Sequence, residues 1–187
     1  MKSAKPFDAQ RLDMERFARD AGQLQGRWLL AALPRLAESQ VDGVAPAGRE
    51  VLWEAHGQRV DRLGAPAEVW LHLGARATVR LQCQRCLNPV DVVLEVDRSF
   101  RFVRDEREAA ELDAQVEEDI LVLDRSLDLQ ALVEDELILA LPLVPRHADC
   151  RYPAAVEGEP APTGADPVVA ERPHPFAALA ALKRRLT

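Results

Sequence analysis

Aromatic side chains are scarce in this chain: Phe, Trp and Tyr make up 5% of it, and Tyr occurs once. Any core must therefore be packed with Leu, Val and Ala, which supply much of a 48% hydrophobic content that is ordinary for a globular protein. Long apolar runs are also missing. None approaches the roughly 20 residues that span a bilayer, and the opening Met1-Lys2-Ser3-Ala4-Lys5-Pro6 is charged where a signal peptide would be apolar. These two absences predict a cytoplasmic protein without membrane contact. Cysteine is limited to three residues, which cannot all pair within one chain and would stay reduced in the cytosol, so a disulfide framework is not expected. Lysine is rarer than arginine, at 3 against 21, and the net charge is −7. That balance excludes a general nucleic-acid binder, which needs clustered cations. It still allows local Arg contacts, planar and bidentate, with RNA or an acidic partner. There is no Gly-rich phosphate loop, no HExxH and no GxSxG, which removes the commonest nucleotide, metalloprotease and hydrolase signatures.

What is present is alternation. From Val69 to Cys83 the odd positions Val69, Leu71, Leu73, Ala75, Ala77, Val79, Leu81 and Cys83 are apolar and the even positions mostly polar, the period of a half-buried strand. Val90, Val92, Leu94, Val96, Phe100 and Phe102 repeat the pattern, interrupted by Arg98, and an earlier strand over 50–58 places Val51, Trp53 and Ala55 on one face. Together they predict a three-stranded meander. Shorter strands are expected over 24–30 and 120–123. A surface helix is expected over 8–20, starting at Asp8 and ended by Gly22, and a helical turn over 33–39 with Pro34 in its first turn. The acidic stretch 105–119 reads as a solvated loop or short helix. The segment 128–141 reads as a helix with Asp128 as its N-cap and Pro142 as its stop; Leu129, Leu132, Val133, Leu137, Ala140 and Leu141 give it a face broad enough to cover the sheet.

The fold class that follows is α+β: an antiparallel meander or partly closed sheet buttressed by a helix, with an N-terminal helix and a flexible tail. One domain is expected over 1–150. Residues 151–187 are expected to form a tail that is rich in Pro, Ala, Gly and acidic residues and ends in a short amphipathic, basic helix. Phe176, Leu179, Leu182 and Lys183 mark that helix either as a docking element or as a piece that folds back onto the domain.

Cys83-Gln84-Arg85-Cys86 falls in the turn between the two long strands, and His147 and Cys150 follow the apolar helix. A CxxC at a hairpin tip suits a zinc knuckle, and H-x2-C supplies the two further ligands of a tetrahedral Cys3His site. The bland alternative is that Cys83 simply continues the apolar face of its strand. A thioredoxin-like redox role is disfavoured because no helix follows the motif to lower a thiol pKa. Arg76, Arg80 and Arg85 form a possible stripe facing phosphate or an acidic partner, with plain solubility as the alternative. The carboxylates Glu134, Asp135 and Glu136 read as a solvated helix edge, and neither His56 nor His72 reads as a catalyst.

Three blocks in order, Cys83-Gln84-Arg85-Cys86-Leu87 with Pro89, the run from Leu132 to Pro145, and the terminal segment from Pro175 to Lys183, resemble the YceD family of large ribosomal RNA subunit accumulation proteins. The resemblance covers most of the chain. It implies a bacterial cytoplasmic protein that supports synthesis, processing or stability of 23S ribosomal RNA, with a pre-50S particle, a 23S precursor or an rRNA-processing protein as partner and no small-molecule substrate. It supplies no catalytic residue, so a non-enzymatic factor is expected. An RNA-processing enzyme and an adaptor that never touches RNA are the alternatives. Some relatives carry a second Cys-rich cluster after the apolar helix, and this chain departs from them in having only His147 and Cys150 there; a structural zinc is a possible cofactor on the Cys3His spacing, and the resemblance does not establish one.

Overall fold

In the computed structural model, which describes residues 6–64, 66–113, 115–116 and 118–150, five strands form one sheet. The strands are β1 (Gln23–Leu29), β2 (Glu50–Val60), β3 (Glu68–Gln82), β4 (Pro89–Val103) and β5 (Asp119–Val122), hydrogen-bonded in chain order. The first four make antiparallel neighbours, as the alternation requires. The fifth runs parallel to β4, pairing Phe100 with Asp119 through Val103 with Val122. A helix, α3 (Glu106–Asp113), makes that parallel return possible within the acidic stretch. The sheet is therefore mixed and open, with β1 and β5 at its edges, and the architecture is α+β.

Three further helices matter to the core: α1 (Met14–Arg19), α2 (Pro34–Glu38) and α4 (Leu129–Leu139). Helix α1 starts later than the sequence suggested. Asp13, not Asp8, accepts from the Arg16 amide at 3.0 Å as N-cap, while Asp8 closes a local turn on Gln10 and Leu12 bridges to Leu127. Nor is α1 a mere surface helix, because Met14, Phe17 and Ala18 are buried against β2 and β3. Glycine makes that approach possible: a Cβ on Gly57 would lie 2.6 Å from the Phe17 ring and 2.8 Å from its backbone. Helix α4 keeps the expected cap, with Asp128 accepting from Gln130 and Ala131, and buries Leu129, Val133 and Leu137 over β3 and β4.

One face of the sheet is the core. Val51, Leu71, Leu73, Val79, Leu94 and Phe100 are buried there with Phe17, Leu30, Leu36 and Val133. Trp28 and Trp53 stack near the β1 edge with ring centroids 4.4 Å apart. The other face is polar and carries the even-numbered residues of β2 and β3. Among the described residues, no helix is long and apolar enough to cross a membrane.

Candidate metal centre

Strands β3 and β4 project beyond β2, whose register with β3 runs only to Val51 opposite Ala77. Side chains replace the missing strand: the Arg80 amide donates to Gln40 Oε1 at 3.0 Å, and Arg49 donates to the Thr78 carbonyl at 3.0 Å. At the tip the Cys83 amide donates to the Asn88 carbonyl and the Leu87 amide to the Cys83 carbonyl, each at 2.9 Å. Leu87 adopts the left-handed conformation with φ 61°, which a side chain rarely takes. This tight loop brings the Cys83 and Cys86 thiols close together.

The second half of the centre comes from the chain after α4. Ala140 caps the helix two residues before Pro142, and the chain then runs back along the hairpin tip. Three contacts fasten it there. The Gln84 amide donates to the Pro145 carbonyl at 2.9 Å, Arg85 donates to the Cys150 carbonyl at 2.6 Å, and His147 Nε2 lies 2.9 Å from the Pro89 carbonyl. The result gathers Cys83 Sγ, Cys86 Sγ, His147 and Cys150 Sγ within 4.8 Å of one another. Cys83 is fully buried, Cys150 nearly so, and Cys86 and His147 face partly outward.

The donor set fits zinc. The Cys83 and Cys150 sulfurs are 3.7 Å apart, and Cys86 Sγ is 3.5 Å from His147 Nδ1. A tetrahedron with Zn–S of about 2.3 Å and Zn–N of about 2.05 Å has edges of about 3.8 and 3.6 Å. A separation of 3.7 Å is far too long for the roughly 2.05 Å of a disulfide. His147 offers Nδ1 inward while its Nε2 is held by a backbone carbonyl, the usual way a ligating imidazole is oriented. Thiolate is favoured at one sulfur: burial pushes the Cys83 thiol up, but the amides of Cys86, Arg85 and His147 and the His147 side chain bring it down to about 5. Cys150 goes the other way, to about 11, through burial and its neighbours Cys86 and Cys83. His147 is raised, first by its hydrogen bond to Cys83 and then by Pro89. These four residues would hold the ion, and its contribution would be to tie two distant segments together. Cys83 is buried at the end of the apolar face of β3 and is also one of the four clustered donors, so the two readings of it are compatible.

The Arg residues singled out by sequence divide. Arg76 and Arg80 lie on the outer sheet face, each facing a carboxylate on β4: Glu95 at 3.4 Å and Asp91 at 3.1 Å. Arg49 also reaches Asp91 at 2.8 Å, and its hydrogen bond, followed by that of Arg80, holds the Asp91 carboxyl below its usual range. Arg85 stands apart from them, at the clip. Leu87 and Pro89 flank the tip, while Phe176, Leu179, Leu182 and Lys183 lie outside the described residues. On the outer face His72 is held between Ser99 and Gln58, both at 2.8 Å, with the His56 ring stacked beside it.

Sequence reasoning missed the carboxylates of α4. Glu134 and Glu136 are buried, not a solvated helix edge. Glu134 accepts from the Arg35 and Leu36 amides at 2.7 and 3.2 Å and pairs with the Arg35 guanidinium at 2.9 Å, so it caps α2, whose own N-cap, Leu33, has no side-chain acceptor. Asp135 also meets Arg35. Glu136 faces Arg98, 3.4 Å away, and burial pushes its carboxyl up despite that cation. The one signal available was the break in β4 periodicity at Arg98, which sits opposite Leu73 and so on the core face.

No solved structure matches this chain. Among curated proteins it is similar to the Large ribosomal RNA subunit accumulation protein YceD of Haemophilus influenzae, 32% identical over 161 residues that cover 86% of this chain and 87% of that protein. The profile of the family described as Large ribosomal RNA subunit accumulation protein YceD matches residues 71–183, a span that takes in most of β3, all of β4 and α4, and all four residues of the Cys3His cluster, and the chain belongs to that family.

Proposed function

We propose that this chain is a cytoplasmic factor in biogenesis of the large ribosomal subunit that supports synthesis, processing or stability of 23S rRNA without itself catalysing a reaction. Family membership over residues 71–183 carries the reading. The Cys3His clip supports a structural reading of that cluster, because four protein ligands complete a tetrahedral zinc site. In this reading zinc occupies the clip and makes the hairpin tip and the chain after α4 one rigid surface, while the partner is the precursor particle or its RNA. The test is depletion in the source bacterium followed by sucrose-gradient and primer-extension analysis. Fewer large subunits and less mature 23S rRNA, restored by the intact chain, are expected; unchanged ribosome profiles would overturn the reading.

A second reading, an adaptor that binds a processing enzyme and never touches RNA, is favoured by the net charge of −7. Tagged protein recovered with a protein partner after nuclease treatment, and without rRNA before it, would select the adaptor.

A further inference from the structure

We propose that the clip end of the hairpin, and not the sheet face, is a contact surface for single-stranded RNA, with Arg85 and Arg146 taking phosphates and Gln84, Leu87, Asn88 and Leu143 meeting unstacked bases. The proposal rests on the large-subunit reading above and names the surface that would serve it.

The chain carries 31 acidic residues, yet none falls in 80–90 and Asp149 alone falls in 139–150, the two segments that the clip joins. On the outer sheet face Arg27, Arg76 and Arg80 are each within 3.5 Å of a carboxylate, so a phosphate there would have to displace a competitor and would meet the neighbouring acids. At the clip, among the described residues, no carboxylate is paired with Arg85 or Arg146. Both arginines are exposed, and Arg85 uses one guanidinium nitrogen on the Cys150 carbonyl at 2.6 Å. A polyanion approaching a protein of net charge −7 finds its least repulsive landing there.

Large apolar side chains are also exposed at this end of the hairpin. Leu87 is 65% exposed, Leu139 72% and Leu143 99%, and the Gln84–Pro145 hydrogen bond brings the tip and the post-helix segment side by side. Aliphatic side chains held out beside side-chain amides suit bases that have left the stack, whose faces need apolar cover and whose edges need donors and acceptors. A duplex offers neither at such a surface, and two arginines alone would hold it weakly. The Leu87 backbone is set by its left-handed conformation and by its amide donating to the Cys83 carbonyl at 2.9 Å, so little backbone order has to be gained on binding.

The experiment uses full-length, zinc-loaded protein and a tiled set of transcripts covering the 23S rRNA precursor, read by fluorescence anisotropy at several salt concentrations. Binding of at least one transcript through an unpaired segment is expected. Arg146→Glu should weaken it about ten-fold or more, and Arg85→Glu with Arg146→Glu should lower the salt slope by about two. Leu143→Ser should cost affinity equally at every salt concentration, and Arg76→Glu should change little. Because Arg85 also holds the Cys150 carbonyl, zinc content and circular dichroism accompany each variant, and Arg146→Glu carries the test alone if Arg85→Glu loses metal. Binding that survives Arg146→Glu and Leu143→Ser, or is lost with Arg76→Glu instead, overturns the proposal. If no transcript binds but the protein still sediments with large-subunit precursors through a protein component, this surface has been assigned the wrong partner while the biogenesis reading stands. If it fails to sediment with them at all, both fall.

Discussion

The two ends of the β3–β4 ladder are stabilised by different physics. Beneath α1 the ladder carries Leu71 and Phe100, with Gly57 admitting Phe17, so a large apolar area leaves water in one place. Beyond β2 the same two strands bring Val79, Leu81 and Val90 inward, followed by Cys83, and side chains such as Gln40 and Arg49 take over from the absent strand. There the chain after α4 is held by three hydrogen bonds and a cluster of metal-ligating atoms. The difference shows how a chain poor in aromatics can order a long hairpin: where hydrophobic area runs out, coordination can supply the missing stabilisation.

That contrast can be broken from either end. The largest effect should come from Leu71→Ala, which opens a cavity in the well-packed end and should cost about 3 kcal/mol of global stability, measured by urea unfolding. Cys86→Ser should come next but act locally. Zinc by mass spectrometry should fall from one equivalent to a small fraction. Hydrogen exchange should speed at the Cys83, Gln84 and Leu87 amides while the Leu71 and Phe100 amides stay protected. Equal loss of protection at both ends would show that the clip is part of the global core. Zinc below a small fraction in the unsubstituted protein would mean that the cluster is held by hydrogen bonding alone.

Glu134→Ala should follow, at about 2 kcal/mol, because it removes the acceptor of the Arg35 and Leu36 amides as well as an ion pair. Glu134→Gln, which keeps one acceptor, should recover part of that loss. The smallest effect is one of pH. The Glu68 carboxyl lies below its usual range, chiefly through the Arg62 hydrogen bond and further through Trp70 and Arg101, against a burial penalty. A lowered folded-state pKa contributes stability that is present above the unfolded value of about 4.3 and is lost as pH falls through the folded value. Thermal melts should therefore show a smaller acid-side decline for Glu68→Gln than for the unsubstituted chain, with the difference confined to pH below about 5.

How far the sequence reached depends on whether a signal was local. The alternation over 69–83 was legible because a strand repeats every two residues whatever it packs against, and β2, β3 and β4 appear within two residues of the expected bounds. Asp128 was legible as a cap because its partners, Gln130 and Ala131, are two and three residues away. Asp8 misled because Asp13 has the same chemistry, and only the Leu12–Leu127 bridge selects between them. Glu134 was opaque because the amides it caps are 98 and 99 residues distant.

The amino-acid order alone therefore determined the strand faces, the cap of α4, the CxxC at the hairpin tip and the family, since each is written in neighbouring residues. Tertiary structure alone decided that β5 returns parallel to β4 and that two helix carboxylates are buried, and it brings together the four Cys3His residues that the spacing pointed to. It also decided which arginines are already paired. These outcomes depend on which distant segments share a space, and a residue's type does not specify what charge or hydrogen-bond partner will be brought beside it.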